Sequence, residues 1–406
     1  MITTSLLRCA AMIRRCRFPL LLTLTALLAV SISAAPAEAA KRKVPFGFFG
    51  TVLQPELQRV DESSLDRQMS LMARSGVESV RATIPWANIE PQQGVYNWAA
   101  TDRMVRTAAN HRLLMLANVL DAPAWAEAPI KPQYPTGSPP KSAALYASFI
   151  RQVALRYGPN GSFWAANPTV PRMPIRQWQI WNEQVAPWFW SQRPWGKSYT
   201  RVLKAAYKVI HQVDRGATVV AGSFVAVAGY SQWRGVKDLY RAGAKRYFDT
   251  IAVHPFTNVP NSVRFSIDQT VEILRRVRAQ MRKRGDGRKP IIVTELTWPA
   301  AVGKVPKKRL LGLETTPRGQ VARMKAAYQR LATVRRKLKI TQAYWFSWAT
   351  QYNAKSNLSD VSYRFAGLMR WRGGNVFKRM PILNTYTRLA RKYEGCRKGA
   401  NARSCR

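Results

Sequence analysis

Residues 175–183 read IRQWQIWNE, a short apolar run that ends in an amide and a carboxylate. Short runs rich in β-branched and aromatic residues predict buried strands, here over 175–181. Seven more runs of this kind occur at 46–50 (FGFFG), 78–84 (ESVRATI), 113–119 (LLMLANV), 218–222 (TVVAG), 248–253 (FDTIAV), 290–295 (PIIVTE) and 341–347 (TQAYWFS). The sequence therefore predicts eight strands in one chain.

Amphipathic segments separate these strands. Apolar residues recur in them at three- and four-residue spacing, which is typical of helices with one buried face. Examples are Leu65, Met69 and Met72; Leu145, Phe149, Val153 and Tyr157; Val202, Ala206, Val209 and Val213; and Ile267, Val271, Leu274 and Val277. Eight β-then-α units predict an α/β protein with a single catalytic domain, a (β/α)₈ TIM barrel. A doubly wound open sheet is the alternative, but no Gly-rich phosphate loop follows an early strand.

The N-terminal forty residues have the features of an export signal. Four arginines (Arg8, Arg14, Arg15 and Arg17) precede an apolar run from Phe18 to Ala35, and small residues follow. A retained membrane anchor is the alternative, because the run approaches spanning length. We expect a signal peptide at 1–40, a catalytic domain at 41–393 and a basic tail at 394–406. The protein would then be secreted, extracellular or associated with the cell envelope, with no transmembrane segment after signal removal.

The cysteines divide between the two ends of the chain. Cys9 and Cys16 fall in the predicted signal, whereas Cys396 and Cys405 lie close together in the tail. In an exported protein such a pair predicts a local disulfide. Two remaining thiols and three histidines make a structural zinc site a poor interpretation, and no metal is expected.

The chain is strongly basic, with 65 Lys plus Arg against 21 Asp plus Glu and a net charge of +44. Loss of residues 1–40 removes four Arg and one Glu, which lowers the charge only to +41. Basic residues are densest around Arg275–Lys289 and Arg335–Lys339. This charge favours an anionic polymer of the cell envelope as a partner. Specific nucleic-acid binding is disfavoured because no reading motif is present, and a compositional bias toward Arg is the alternative.

Two acidic residues follow apolar strands directly. Glu183 ends the fourth predicted strand and Glu295 ends the seventh. Barrel enzymes carry their chemistry at the carboxyl ends of the strands, and two carboxylates across one cavity are the machinery of glycoside hydrolysis. Salt-bridged structural acids are the alternative interpretation. Asp121 and Glu127 follow the third strand, where substrate contact and loop capping are equally consistent with the sequence.

Aromatic residues crowd the same strand ends. Their rings offer flat faces for the C–H surfaces of sugars, although filling of the core and rim explains many such residues equally well. The substrate-binding candidates from this region are Trp86, Trp125, Trp188, Trp345, Trp348 and, on the third strand, Asn118.

Several segments in order resemble the clan A glycoside hydrolases, most closely the family 39-like and cellulase-like group. They are Gly76–Trp98 (GVESVRATIPWANIEPQQGVYNW), Arg156–Pro168 (RYGPNGSFWAANP), Asn182–Glu183 after the fourth strand, Glu295 after the seventh, and Tyr344–Trp348 (YWFSW). The resemblance extends over about residues 46–390, which makes it more specific than a lone Asn-Glu pair.

This resemblance implies a role for each matching position. Glu183 would be the acid/base, with Asn182 binding the sugar 2-hydroxyl, and Glu295 would be the nucleophile. Arg81 would keep the nucleophile ionised, and His254 would line the subsite where the bond is cleaved. The aromatic floor of that subsite would be Trp348 or, as the second choice, Trp345. The family pattern also implies retention of anomeric configuration without a cofactor.

The chain departs from the family pattern at three places on the rim. These are Gln184 in place of Pro, Phe256 in place of Tyr, and Leu296–Trp298 (LTW) in place of Phe-Gly-Trp. They put the identity of the substrate in doubt more than the activity.

The leading hypothesis is a secreted retaining glycoside hydrolase that cleaves O-glycosidic bonds of a polysaccharide or oligosaccharide with two glutamates. One alternative is a transglycosylase that uses the same carboxylates. Another is a non-catalytic protein that binds carbohydrate or a cell-envelope polyanion on a barrel scaffold. The sequence leaves the sugar, the linkage and the oligomeric state open.

Overall fold

Eight parallel strands close into a barrel in chain order, with each strand paired to the next and β8 paired to β1. The computed structural model describes residues 42–54, 57, 59–129, 138–258, 262–351 and 361–396. The strands are β1 (Phe49–Leu53), β2 (Ser79–Pro85), β3 (Leu114–Leu120), β4 (Gln177–Ile180), β5 (Thr218–Phe224), β6 (Thr250–Val253), β7 (Ile291–Leu296) and β8 (Ile340–Trp345). The prediction of a (β/α)₈ barrel is confirmed.

Helices lie between the strands at the places that the apolar spacing predicts. They are α1 (Glu62–Arg74), α2 (Trp86–Ile89), α3 (Ala99–Asn110), α4 (Ala143–Tyr157), α5 (Ser162–Ala166), α6 (Trp195–Val213), α7 (Gln232–Arg241), α8 (Val263–Lys283), α9 (Pro317–Leu338) and α10 (Pro381–Glu394). Single 3₁₀ turns occupy Ala244–Arg246, Lys307–Arg309 and Val361–Phe365. A small sheet of β9 (Ala349–Gln351), β10 (Met369–Trp371) and β11 (Phe377–Arg379) follows the barrel.

Side-chain caps fix where several helices begin. The carboxylate of Asp61 accepts a hydrogen bond from the Ser64 backbone N–H at 2.6 Å, at the start of α1. The hydroxyl of Ser262 caps α8 in the same way, and Thr316 caps α9 ahead of a proline at the first helical position. These side chains satisfy backbone donors that a helix leaves unpaired at its N-terminus.

The first strand begins later than the sequence predicts. It was expected at 46–50, but a turn occupies this region, in which the Phe48 N–H donates to the Pro45 carbonyl and Gly47 has a left-handed φ of 87°. The strand starts only at Phe49. Glycine reaches this conformation without the steric cost of a side chain, so the turn displaces the strand by three residues.

The barrel interior is filled by a compact layer of side chains from alternate positions of the strands. Its members are Val52, Leu116, Val220, Ala252, Ile292 and Tyr344, with Phe346 packed above them. Gly50 gives Tyr344 its room, because a Cβ at that position would lie 2.4 Å from the tyrosine ring. Strand side chains alternate between faces, so residues two apart on one strand, such as Gln342 and Tyr344, share this inner face.

The predicted signal at 1–40 and Cys405 of the predicted tail lie outside the described residues. Cys396 is disulfide-bonded. Across the described ranges, no helix combines the length and apolar character needed to cross a membrane.

Candidate active site

Glu183 and Glu295 face each other at the carboxyl end of the barrel. Glu295 lies in β7, and Glu183 comes three residues after the end of β4. One carboxylate oxygen of each lies within 4.8 Å of the other and of a ring nitrogen of His254. Both side chains are about 11% exposed, so they are largely buried but open to one cavity. The two acids that the sequence singled out are therefore brought together.

Arg81 of β2 connects the groups around these acids. Its Nη1 donates to Glu295 Oε1 at 2.7 Å and its Nη2 donates to Asn182 Oδ1 at 2.7 Å. Its Nε donates to Gln179 Oε1 at 2.9 Å. The planar guanidinium presents fixed donors in several directions, so one buried side chain orients three acceptors from β4, its following turn and β7.

Asn182 has its amide held in one orientation. Its Oδ1 also accepts from the Ser223 hydroxyl at 2.8 Å, and that hydroxyl in turn accepts from the Glu183 backbone N–H at 3.1 Å. With Oδ1 occupied by Arg81 and Ser223, the amide nitrogen remains as the donor toward the cavity. Sequence reasoning missed Gln179 and Ser223, although each is a polar residue near the carboxyl end of a buried strand, which is the signal that marks them.

His254 lies between the two glutamates. Its Nδ1 is 2.6 Å from Glu183 Oε1, and its Nε2 is 3.5 Å from Glu295 Oε1. The ring is fully buried, and its Nε2 forms no hydrogen bond with any described residue despite the nearby Glu295 oxygen. This position, directly after β6, places the imidazole where a proton can move between it and Glu183.

The electrostatic environment differs between the two acids. Burial raises the pKa of Glu183 to about 7, opposed by the charge of Arg81. Burial also raises the pKa of Glu295 from its ordinary value, but His254 and the direct ion pair with Arg81 oppose it. Burial lowers the pKa of His254 to about 3, so the ring is neutral at ordinary pH. Glu183 is thus suited to hold a proton, and Glu295 is the ion-paired partner.

The side chains of Glu183, His254 and Glu295 lie close enough together to bind one metal cation. Glu183, His254 and Glu295 each offer one ligand atom. The guanidinium of Arg81, however, already supplies a positive charge 2.7 Å from Glu295. A second cation beside it would be repelled, so the arrangement fits a hydrogen-bonded acid cluster better than a metal centre.

The backbone at the mouth adopts unusual conformations. Asp121, Trp181 and Glu183 have left-handed φ values of 61°, 67° and 42°. For a bulky residue such as Trp181 this is a costly conformation, and such residues cluster at functional sites. The left-handed turn at Trp181 ends β4 earlier than predicted.

Three of the predicted aromatic contacts are wrong. Trp86, Trp345 and Trp348 are fully buried and show no ring face to the cavity. Their indole N–H groups donate to Glu90, to the Ala366 carbonyl and to Gln68 respectively, each within the protein. The core interpretation therefore applies to them.

Phe346 occupies the place that Trp345 or Trp348 was expected to fill. It is half-buried on top of the interior layer, with its ring centroid 5.4 Å from that of Tyr363. Strand alternation contains the signal: Phe346 is two residues after Tyr344 and shares its inward face, whereas Trp345 points to the helices.

The remaining candidates have different surroundings. Asn118 is buried beside Arg81. In the amide orientation that satisfies both neighbours, its oxygen accepts from Arg81 Nη2 at 3.1 Å and its nitrogen donates to the Trp181 carbonyl at 2.9 Å. Trp125 is half-buried, and its indole donates to the Glu90 carbonyl. Trp188 is 45% exposed on the rim. Of the predicted tryptophans, Trp188 therefore offers the largest free ring surface.

The three departures from the family pattern have structural explanations. Gln184 is fully buried and accepts from the Ser223 N–H at 3.2 Å. It packs so closely on Gly222 that a Cβ there would lie 2.0 Å from its amide. Phe256 lies 5.7 Å from the His254 ring, which makes it an apolar wall of the cavity. Leu296–Trp298 is buried and does not reach the cavity.

Comparison with known proteins agrees with this architecture. A sequence model of glycoside hydrolase family 42, described as beta-galactosidase, matches residues 53–140. A search of curated protein sequences finds no match. Solved glycoside hydrolases are similar in fold across most of the described barrel.

One is a family 39 glycoside hydrolase from the gut symbiont Bacteroides cellulosilyticus WH2, at 16% identity and a TM-score of 0.55, covering 86% of this chain and 64% of that one. A family 39 enzyme from Xanthomonas axonopodis pv. citri is 18% identical, with a TM-score of 0.56 and 86% and 67% coverage. The beta-glycosidase BGL167 is 13% identical, with a TM-score of 0.56 and 88% and 99% coverage. The chain thus spans less than two thirds of the first enzyme.

These findings confirm the predicted resemblance to the clan A glycoside hydrolases and the predicted barrel. The chain is a TIM barrel whose fold is similar to that of solved glycoside hydrolases, and its residues 53–140 match the family 42 model.

Proposed function

We propose that this protein is a retaining glycoside hydrolase that cleaves O-glycosidic bonds of a polysaccharide or oligosaccharide. One observation carries the proposal: carboxylate oxygens of Glu183 and Glu295 lie within 4.8 Å of one another. Retaining enzymes place their carboxyl groups about 5–5.5 Å apart, whereas inverting enzymes need about 6.5–9.5 Å to admit water. With a pair of carboxylate oxygens no more than 4.8 Å apart, the spacing is closer to the retaining arrangement and favours a glutamate that attacks the sugar directly.

In the first step Glu295 attacks the anomeric carbon and Glu183 protonates the leaving oxygen. The ion pair with Arg81 favours the carboxylate form of Glu295, which is the form that attacks. The pKa of Glu183, near 7, keeps a large fraction of it protonated at neutral pH, as a general acid requires.

His254 sets the positions of the protons. With Glu183 protonated, its O–H donates to the unprotonated Nδ1, and the proton of the neutral ring sits on Nε2, facing Glu295 3.5 Å away. In this arrangement the proton of Glu183 is hydrogen-bonded to Nδ1, and Glu295 is left as the anion.

In the second step water hydrolyses the glycosyl-enzyme. Glu183, now ionised, removes a proton from the water as its oxygen attacks the anomeric carbon, and Glu295 leaves as the carboxylate. A transglycosylase would differ only in the acceptor that replaces water, so analysis of products with added acceptor sugars separates the two activities.

Asn182 and Phe346 position the substrate. The Asn182 amide nitrogen remains as a donor for a sugar hydroxyl, because its oxygen is held by Arg81 and Ser223. Phe346 supplies the half-buried ring at the floor of the mouth. Contacts of this kind beside the anomeric carbon lower the activation barrier if they are stronger in the transition state than in the bound substrate.

The test is a panel of aryl glycosides of varied sugars with the wild type, Glu183→Gln and Glu295→Gln. Turnover by the wild type alone, with a covalent glycosyl adduct trapped on Glu295, supports the proposal. Turnover that both variants retain would reject the site, and glycan binding without any turnover would instead favour a non-catalytic binding protein.

We further propose export to the cell surface, where the basic charge meets anionic envelope polymers. The sequence features of residues 1–40 and the net charge support this. Exposed basic residues on α8 include Arg275, Arg276, Arg282 and Lys283, whereas Arg278 of the same sequence cluster is buried and donates to the Leu338 carbonyl at 2.8 Å. Fractionation of expressing cells, with and without residues 1–40, checks the export.

A further inference from the structure

A second acidic cavity opens at the same end of the barrel, between the ends of β3 and β4. Its volume is about 300 Å³, and its walls include Asp121, Glu127, Ser138, Trp181 and Trp188. Small-molecule sites begin at about this size, which makes it adequate for a sugar residue. Trp181 directly precedes Asn182 in the chain, so the cavity lies next to the proposed catalytic groups.

The charge of this cavity is opposite to that of the protein. Among the described residues, its walls contain two carboxylates and no Lys or Arg, in a chain with 65 basic residues. Neither Asp121 nor Glu127 forms an ion pair with any described residue. Burial raises the pKa of Asp121, and burial followed by the charge of Asp121 raises that of Glu127. Among the residues that the structure describes, these two carboxylates therefore interact with each other and have no ion-pair partner.

Ser138 provides an independent sign that a ligand belongs here. The residue is only 5% exposed and lines the cavity, yet its hydroxyl has no hydrogen-bond partner in the described structure. Its segment is held firmly, because the Ala128 N–H donates to the Pro139 carbonyl and the Lys141 N–H donates to the Ala126 carbonyl, both at 2.8 Å. A buried hydroxyl without a partner is destabilising, and a polar group in the cavity would satisfy it.

The opposite wall offers an aromatic surface. Trp188 is 45% exposed, a large fraction for a tryptophan. The nearby Trp181 is fixed in place, since its indole N–H donates to the Phe189 carbonyl at 2.7 Å. An exposed indole face attracts both the C–H surface of a sugar and a cation.

We propose that this cavity is a subsite for a sugar residue that carries a free amine, so that the substrate is a glycan containing unacetylated amino sugars. An ammonium group has three N–H donors, which match the carboxylates of Asp121 and Glu127 and the Ser138 hydroxyl. Trp188 then covers the ring face. A neutral acetamide or hydroxyl would not offset the two negative charges on the cavity wall, whereas an ammonium would. This subsite rests on the proposed glycosidase function for its role, but its ligand preference is measured separately.

The experiment uses three β-1,4-linked glucose-series trimers that differ only at C2: glucosamine, N-acetylglucosamine and glucose. Binding is measured by calorimetry at pH 6 in the full chain with Glu295→Gln, so that the ligand is not consumed. The same titrations follow with Asp121→Asn and Glu127→Gln added. The control adds Asp268→Asn and Glu272→Gln, which remove the same charge from the exposed surface of α8.

We expect the glucosamine trimer to bind at least about tenfold more tightly than the other two. That preference should vanish with the cavity replacements and persist in the control. Equal binding of all three trimers, or a preference that survives the cavity replacements, would overturn the subsite. If the preference is seen but the wild type hydrolyses no glycoside, the proposed function fails and the subsite stands.

Discussion

Two pairs of acids lie at the mouth of this barrel, and their surroundings give them different chemistry. Glu183 and Glu295 are joined by Arg81 and His254, so each carboxylate has a charged or polar partner within 2.7 Å. Asp121 and Glu127 have neither an arginine nor a histidine beside them among the described residues. Arg81 forms an ion pair with Glu295, whereas His254 contacts Glu183. The two acids can therefore differ in protonation, with Glu183 holding the proton and Glu295 ionised. The second pair can only attract a cation from outside.

Replacement of Glu295 with Gln tests the first pair most severely. Without the nucleophile no glycosyl-enzyme can form, and kcat/KM should fall by about 10⁴-fold or more. The measurement is steady-state hydrolysis of the best aryl glycoside. The matched control is Glu272→Gln on the surface of α8, which should retain wild-type rates. A comparable loss of activity in this control would mean that the change in net charge, and not loss of the nucleophile, lowers the rate.

Replacement of Glu183 with Gln should have the next largest effect, about 10²–10⁴-fold, and less for substrates with good leaving groups. The pH profile carries the sharper information. Because Glu183 must be protonated to act as the acid, wild-type kcat/KM should fall as pH rises through about 7. In Glu183→Gln this alkaline limb should disappear; its persistence would assign the limb to another group.

Arg81→Lys is expected to lower kcat/KM by about tenfold to a hundredfold, because Lys cannot contact three acceptors as the guanidinium does. The weaker ion pair favours protonation of Glu295, so the acidic limb of the pH profile should move to higher pH. Arg276→Lys, which alters an exposed pair with Glu272, is the control. An unmoved acidic limb would show that Arg81 does not maintain the charge of Glu295.

Ser138→Ala should give the smallest effect, and this effect should be limited to ligand binding in the cavity of Asp121 and Glu127. Loss of one hydrogen-bond partner predicts glucosamine-trimer binding weaker by about two- to tenfold, corresponding to about 0.5–1.5 kcal/mol. Binding of the glucose trimer should stay the same, and so should binding of either trimer by Thr333→Ala, an exposed hydroxyl on α9. Equal weakening for both trimers would remove Ser138 from amine recognition.

The two pairs also differ in how far the sequence reveals them. Glu183 and Glu295 follow apolar strands, and parallel strands of a barrel bring their ends together, so the order of strands and acids predicted their meeting. The position of His254 after β6 was predictable for the same reason. Its contact with Glu183 at 2.6 Å was not, since side-chain direction depends on packing around the strand end.

The aromatic residues show where pattern reasoning was insufficient. Tryptophan at a strand end suggests a sugar platform, but Trp345 and Trp348 fill the layer between barrel and helices, and Phe346 takes the inward position. The two-residue alternation from Tyr344 contained this answer. No sequence pattern predicted the cavity with Asp121 and Glu127. Its walls come from loops, and only tertiary packing brings these loops together.

Arg81 makes the chemistry depend on segments far apart in the chain. It lies on β2, but its acceptors belong to β4, to the turn after β4 and to β7, and they follow it by 98, 101 and 214 residues. A nascent chain that ends before β7 would carry Arg81 and Glu183 without the nucleophile. Under the proposed function, hydrolysis requires the complete barrel. Two separately expressed fragments, divided between β6 and β7, would then be active only after they reassemble.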